Sequence, residues 1–192
     1  MADSAGHLLA RDAAPKFEAE GGGVRAVAEV GLGIAKLRIN AKHPDAWFVT
    51  ALGVAPPSPL EEIEIAPVAC SWLAPGEWLM TGPEAAVELI RRRCADMAGA
   101  NGLMTDLTHG RVIFEVSGRA ARSVLSAHCP LDLGSYAMPV GTARRSVFSS
   151  TTVFISRRPD RDGEPAYRLI FDQSMAGYAE RMLGATISGV MA

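Results

Sequence analysis

Few side chains in this sequence have the types and spacing that a catalytic site needs. Asp106, Thr108 and His109 lie within four positions of one another and could supply a carboxylate, a hydroxyl and a base. Short polar side chains directly before a strand also satisfy backbone donors in turns, and nothing near His109 marks a nucleophile. A structural role is therefore the stronger interpretation, and a hydrolase that uses His109 as its base is a minor alternative.

Other polar residues also have structural explanations. His128 shares a predicted helix face with two aliphatic residues, which is typical of a satisfied core histidine. Asp132 lies between two leucines, where a single carboxylate caps a turn more often than it performs acid–base work. The segment Gly31-x-Gly33 lacks the third glycine of a dinucleotide loop and leads into a predicted strand, so we reject that motif. The residues thus predict no catalytic group.

The three cysteines, Cys70, Cys94 and Cys129, are far apart in the sequence. Their number is odd, and none has the CxxC or CxxxH spacing of a zinc site. We therefore expect buried free thiols in a reducing compartment, with neither a disulfide nor a bound metal.

The composition is that of an ordinary globular protein. Of 192 residues, 48% are apolar and 21% are charged, and 19 Lys and Arg oppose 21 Asp and Glu for a net charge of −2. A nucleic-acid-binding protein would carry a clustered positive excess, so this class is not favoured. The N-terminus has no signal-peptide core and no apolar run approaches the ~18 residues of a membrane span. We expect a cytoplasmic protein with no membrane contact.

The order of elements predicts an α+β fold. Residues 1–23 are rich in Ala, Gly and charge, without periodicity, and we expect a flexible N-terminal arm. Residues 24–192 are expected to form a single domain of two packed lobes, about 24–100 and 101–192. Alternating segments such as Lys36–Asn40 indicate strands, and each predicted helix follows a strand. This pattern predicts mainly antiparallel sheets with helices on one side of each.

The two lobes have a similar order of parts. The segment Gly33–Ile39 parallels Gly110–Val116, and a strand from Glu77 with its following helix parallels a strand from Tyr167 with its helix. Sequence identities between them are few. We treat internal duplication as a hypothesis, which requires the two sheets to have related strand orders.

Two features could contact another protein. Trp72 and Trp78 flank the tight turn Pro75-Gly76 of a predicted hairpin, and exposed tryptophans often dominate interfaces. The alternative is that both are core residues. Arg91 and Arg92 lie on the predicted helix that follows, where they fit either a solvated helix face or a site for a partner's acidic groups.

Several short motifs resemble one family, the gamma subunit of the bacterial heterotetrameric sarcosine oxidase. Residues 72–79, Trp-Leu-Ala-Pro-Gly-Glu-Trp-Leu, are similar to that family's Leu-Gly-Pro-Asp-Glu-Trp-Leu signature, with Ala74 and Gly76 as departures. Residues 118–125 match its Gly-x-x-Ala-Arg-x-Leu helix, and residues 129–133 match its Cys-Pro-x-Asp-Leu segment. Weaker similarities at 105–111, 139–141 and 171–178 occur in the same order. The resemblance covers roughly Val30 to Gly184.

The resemblance implies a fold like the folate-binding T-protein and a non-catalytic structural role. The family's enzyme demethylates sarcosine oxidatively to glycine and passes the one-carbon unit to tetrahydrofolate. FAD, FMN, NAD and tetrahydrofolate would be bound by other subunits, and the partners would be alpha, beta and delta, mainly alpha. No catalytic, cofactor-binding or metal-binding residue is transferred. The alternative is a stand-alone folate or small-ligand binding protein with the same fold.

Overall fold

The computed structural model describes residues 16–40, 43–98 and 102–189, and all structural statements concern these residues. The strands are β1 (Glu18–Gly21), β2 (Val24–Glu29), β3 (Leu32–Ile39), β4 (Glu62–Ile65), β5 (Val68–Ala74), β6 (Glu77–Pro83), β7 (Gly102–Asp106), β8 (Arg111–Ser117), β9 (Ala143–Phe148), β10 (Thr151–Arg161) and β11 (Glu164–Asp172). The α-helices are α1 (Pro44–Leu52), α2 (Glu84–Ala98), α3 (Ala121–Ser126) and α4 (Ala176–Gly189).

The strands form two antiparallel sheets. The first sheet has the order β4-β5-β6-β3-β7, and the second sheet has the order β1-β2-β8-β11-β10-β9. Every neighbouring pair is antiparallel. The α+β class with mainly antiparallel sheets, expected from the sequence, is confirmed.

Three apolar clusters define four layers. One cluster joins the second sheet to α3 and α4, and another joins the first sheet to α1 and α2. The third cluster contains residues of both sheets, namely Ile34, Leu73, Leu79, Ile113, Ala143, Phe154 and Ile170. Because alternate strand residues point to opposite faces, each sheet has one helix-covered face and one face toward the other sheet. The two sheets therefore lie face to face with the helices outside.

The chain contains two copies of one arrangement of helices and strands. The first unit runs β3-α1-β4-β5-β6-α2 and the second runs β8-α3-β9-β10-β11-α4. Each unit places its strands in the same order, β4-β5-β6-β3 in the first sheet and β9-β10-β11-β8 in the second. This is the common strand order that internal duplication requires, with β3 matching β8 and β6 matching β11 as the sequence comparison proposed.

Each unit is completed by a strand from beside the other. Strand β7, which directly precedes the second unit, pairs with β3 of the first. Strand β2, which directly precedes the first unit, pairs with β8 of the second. The two units thus exchange their end strands.

This exchange corrects the expected lobe boundaries. Residues 24–29 were assigned to the first lobe but belong to the second sheet, and residues 102–106 were assigned to the second lobe but belong to the first sheet. The expected arm of residues 1–23 also ends too late, since β1 pairs with β2 and the Phe17 ring packs edge-on against Phe114 at 5.7 Å. Residues 1–15 lie outside the described part of the chain.

Candidate functional site

The two tryptophans of the β5–β6 hairpin occupy different environments. Trp72 and Trp78 are direct cross-strand partners on the helix side of the first sheet. Trp78 is only 3% exposed and its ring lies 5.2 Å from that of Phe48. Trp72 is half-buried at the border of the same cluster. The prediction that Trp78 contacts a partner is therefore wrong, because its neighbours in the core enclose it, and of the two tryptophans only Trp72 presents surface.

Arg91 and Arg92 share one carboxylate on α2. Arg91 donates two hydrogen bonds to Glu88, from Nε at 2.6 Å and from Nη2 at 2.8 Å, and Arg92 Nε donates a third at 2.8 Å. The Arg92 side chain is 72% exposed and that of Arg91 is 38% exposed. These three side chains carry two positive charges against one negative charge. The group is a solvated helix face that can also meet an acidic surface.

The Glu88 carboxyl should titrate far below an ordinary glutamate. Hydrogen bonds from Arg91 and then Arg92 lower its pKa from 4.5 to about 2. The contribution of the ionised Glu88 carboxylate to stability is complete above pH 4.5 and is lost as the pH falls toward 2. Because the carboxylate and both arginines are at least partly exposed to solvent, this contribution is small. NMR titration of the side-chain carboxyl carbon measures the midpoint. Replacing both arginines with glutamine should return it toward 4.5, and an unchanged midpoint would contradict this assignment.

The acidic residues considered for chemistry are used in turns. Asp106 Oδ1 accepts a hydrogen bond from the Thr108 N–H at 2.8 Å, and Asp132 Oδ1 accepts one from the Gly134 N–H at 2.8 Å. The Thr108 hydroxyl oxygen accepts the Ile34 N–H at 3.1 Å and so ties the 3-10 turn at 108–110 to β3. The turn interpretation of these residues is confirmed.

His128 has both ring nitrogens in hydrogen bonds. Nδ1 lies 2.8 Å from the Ser149 hydroxyl and Nε2 lies 2.7 Å from the Thr186 hydroxyl. The ring packs against that of Phe148 in a tilted arrangement, with 4.6 Å between centroids. Partial burial lowers its pKa below 6.5, so the imidazole is neutral at pH 7. The expected satisfied histidine is confirmed, and its two partners, 21 and 58 residues away, could not be identified from sequence spacing.

The three cysteines are buried free thiols, as expected. Burial raises the pKa of Cys70 and raises that of Cys94 to about 11. Both thiols therefore remain protonated at neutral pH. Because the thiolate is the reactive form of cysteine, neither residue is activated as a nucleophile. Within the described residues, no group of three or more His, Cys, Asp or Glu side chains is placed to hold a metal ion. None of the helices in that part of the chain has the length and apolar character to cross a bilayer.

A cleft of about 520 Å³ lies between the two sheets. Its apolar lining comes from both sheets and includes Leu73, Leu79, Phe154 and Ile170. Its charged lining consists of Lys36, Arg111, Arg145 and Asp172. The sequence analysis assigned none of these residues to a binding site, because the faces that form the cleft belong to strands of different units.

The sequence matches one protein family over most of its length. The profile of the family described as "Sarcosine oxidase, gamma subunit family" matches residues 40–186. The sarcosine oxidase subunit gamma of Arthrobacter sp. is 30% identical over 144 residues, which are 74% of this chain and 70% of that protein. The protein of the same name from Corynebacterium sp. (strain P-1) is 36% identical over 86 residues, or 45% of this chain and 42% of that one.

Solved structures show the same fold. A chain of the heterotetrameric sarcosine oxidase from Corynebacterium sp. U-96 has a TM-score of 0.76 at 23% identity, covering 96% of this chain and 93% of that one. The glycine cleavage system aminomethyltransferase T from Bartonella henselae has a TM-score of 0.60 at 12% identity, covering 90% of this chain and 47% of that one. The expected T-protein-like fold is confirmed. With a family profile that spans residues 40–186, the chain belongs to the sarcosine oxidase gamma subunit family.

Proposed function

We propose that this chain is the gamma subunit of a heterotetrameric sarcosine oxidase and has a structural, non-catalytic role in it. The assembled enzyme would demethylate sarcosine oxidatively to glycine and pass the one-carbon unit to tetrahydrofolate. FAD, FMN, NAD and tetrahydrofolate would be bound by other subunits. Family membership and the fold shared with a chain of such an enzyme support the assembly.

The non-catalytic role rests on the hydrogen bonding and burial of the reactive side chains. Asp106 and Asp132 accept turn hydrogen bonds, and both nitrogens of His128 are engaged by hydroxyl groups. Cys70 and Cys94 are buried with raised pKa values. A nucleophile or general base needs a free reactive atom near a substrate, whereas the Asp and His side chains are hydrogen-bonded within the fold and the two thiols are buried and protonated.

The partner is expected to be mainly the alpha subunit, and the contact surface is expected to include Trp72, Arg91 and Arg92. Trp72 offers a rigid aromatic side chain at the border of the core, which is typical of interface anchors. The two arginines add a net positive charge on α2, which is the helix packed on the same sheet. An apolar contact beside acidic groups on the partner would complement this arrangement.

Co-expression tests the proposal. Tagged alpha subunit is purified together with beta and delta, with and without this chain, and the complex is measured by size-exclusion chromatography and by sarcosine-dependent peroxide formation. We expect this chain to co-purify with alpha and its omission to lower the yield of complex. Peroxide formation by the purified chain alone would refute the non-catalytic role, and failure to co-purify would refute the assembly.

Replacing Trp72 with alanine should weaken binding to the complex. Loss of an interface anchor costs about 2 kcal/mol, or roughly 30-fold in Kd. Tyr136→Ala is the matched aromatic control, since Tyr136 is fully exposed, and it should bind as the parent does. Because Trp72→Ala also removes core contacts, Arg91→Glu with Arg92→Glu provides a second variant on the exposed helix face. Parental Kd values for both variants would rule out this surface.

A further inference from the structure

The cleft between the sheets has an apolar interior. Leu79 of the first sheet and Phe154 and Ile170 of the second belong to the cluster that joins the two sheets, and all three also line the cleft. The cleft is therefore a gap in the apolar packing between the sheets. Its volume of about 520 Å³ lies within the range of small-molecule sites, roughly 300–1,000 Å³.

The charges that line the cleft are mostly positive. Lys36, Arg111 and Arg145 contribute three positive charges against the single carboxylate of Asp172. Asp172 forms an ion pair with Arg111. Lys36 Nζ lies 3.7 Å from a Glu77 oxygen, a separation too long for a good hydrogen bond. Arg145, an exposed residue on the edge strand β9, has no ion-pair partner among the described residues.

Strand pairing places positively charged side chains directly beside apolar residues of the cleft. Arg145 is the cross-strand partner of Phe154, so a guanidinium lies directly beside the apolar wall. Lys36 is likewise the cross-strand partner of Leu79. Each sheet thus places one cation next to one apolar cleft residue. A ligand that fills this space would meet hydrocarbon with part of its surface and positive charge with another part.

We propose that this cleft binds a small organic carboxylate with an apolar body. The carboxylate would accept charge-assisted hydrogen bonds from Arg145 and Lys36, and the apolar body would contact Leu79, Phe154 and Ile170. This inference concerns a different face of the first sheet from the partner surface around Trp72, and it stands whether or not the chain assembles with other subunits.

Isothermal titration of the full chain with matched probes tests the site. 2-Naphthoate supplies the carboxylate and the apolar body, and 2-naphthalenemethanol is the neutral control of nearly equal shape. We expect saturable 1:1 binding of the naphthoate and at least about tenfold weaker binding of the alcohol, because the charge-assisted hydrogen bonds are lost. Far-UV circular dichroism of the same samples verifies that each protein is folded.

Three variants locate the binding. Arg145→Gln should weaken naphthoate binding about tenfold by removing the cation. The matched control Arg93→Gln, at an exposed position of α2 outside the cleft, should leave it unchanged. Thr105→Trp places a large side chain in the cleft from the edge strand β7, where Thr105 is exposed, and should abolish binding.

Several results would overturn the proposal. Equal binding of both probes would show that the cleft does not recognise the carboxylate and is only an apolar cavity. Parental binding by Arg145→Gln would place the naphthoate elsewhere. Absence of naphthoate binding to the folded chain would also refute the proposal. If in that case Thr105→Trp impaired co-purification with alpha, the result would indicate that a segment of the partner protein occupies the cleft.

Discussion

Replacing Glu62 with alanine should lower the free energy of unfolding by about 3 kcal/mol. Glu62, on β4 of the first sheet, is 8% exposed and forms an ion pair with Arg158 on β10 of the second sheet. Its other oxygen accepts the hydroxyl hydrogen of the buried Ser71 at 2.6 Å. The variant leaves a cation without its partner and a buried hydroxyl without an acceptor, and both cost free energy. Urea denaturation measures this loss of free energy. Thermal unfolding should show a fall of roughly 6–12 °C in Tm.

Glu64 provides a matched control for Glu62. It lies two residues further along β4, so it points to the same side of the strand, but it is exposed. Glu64→Ala should change the free energy of unfolding by no more than about 0.5 kcal/mol. Equal effects of the two substitutions would show that the Glu62–Arg158 pair does not hold the sheets together. Arg158→Ala should cost at least as much as Glu62→Ala, because it leaves the Glu62 carboxylate, whose side chain is only 4% exposed, without its cation.

Replacing Gly118 with alanine should also be strongly destabilising, by roughly 2–4 kcal/mol. Gly118 follows β8 and has φ of +117°, a conformation that residues with a side chain rarely adopt. An added Cβ would lie 2.4 Å from the Gly23 carbonyl oxygen and 3.0 Å from Val24 Cα. These are backbone atoms at the start of β2, so relief of the clash must move the exchanged strand itself.

The control for Gly118 is Gly110, at the other end of β8. No atom lies within 4 Å of a Cβ built there, and Gly110→Ala should leave the free energy of unfolding nearly unchanged. Chemical denaturation of both variants makes the comparison. Equal stabilities would mean that β2 adapts to the added methyl group without cost.

Local patterns predicted the elements with clear signals. The alternation predicted at Lys36–Asn40 lies in β3 as far as Ile39, and Pro75-Gly76 forms the turn of the β5–β6 hairpin. The correspondence of β3 with β8 and of β6 with β11 was also visible, because each repeated strand retains its apolar alternation. These features depend on neighbours within a few residues, so the sequence shows them directly.

Helix α1 was missed because its residues are weak helix formers. Trp47, Phe48, Val49 and Thr50 are aromatic or β-branched and lose side-chain freedom in a helix. Packing of Phe48, Ala51 and Leu52 into the core compensates for that loss. Pro44 in the first turn and Gly53, in the left-handed conformation after the last, set the ends of the helix.

The strand exchange could not be predicted, because it depends on pairing across the chain. β7 pairs with β3 about 65 residues away, and β2 pairs with β8 about 90 residues away, and no local pattern specifies such partners. The cleft was missed for the same reason. The environment of Trp78 is a further case, since its contact with Phe48, 30 residues away, is not visible in the local sequence.

The exchange of β2 and β7 has a consequence for how the molecule can be divided. A cut between α2 and β7 yields one fragment with β2 and the first unit and another with β7 and the second unit. Each fragment carries the end strand that completes the sheet of the other. We therefore expect neither fragment to fold alone and the two fragments to complement each other when they are co-expressed. If the two units arose by duplication, a single copy would complete its sheet by exchanging this strand with a second copy, as in a strand-swapped homodimer.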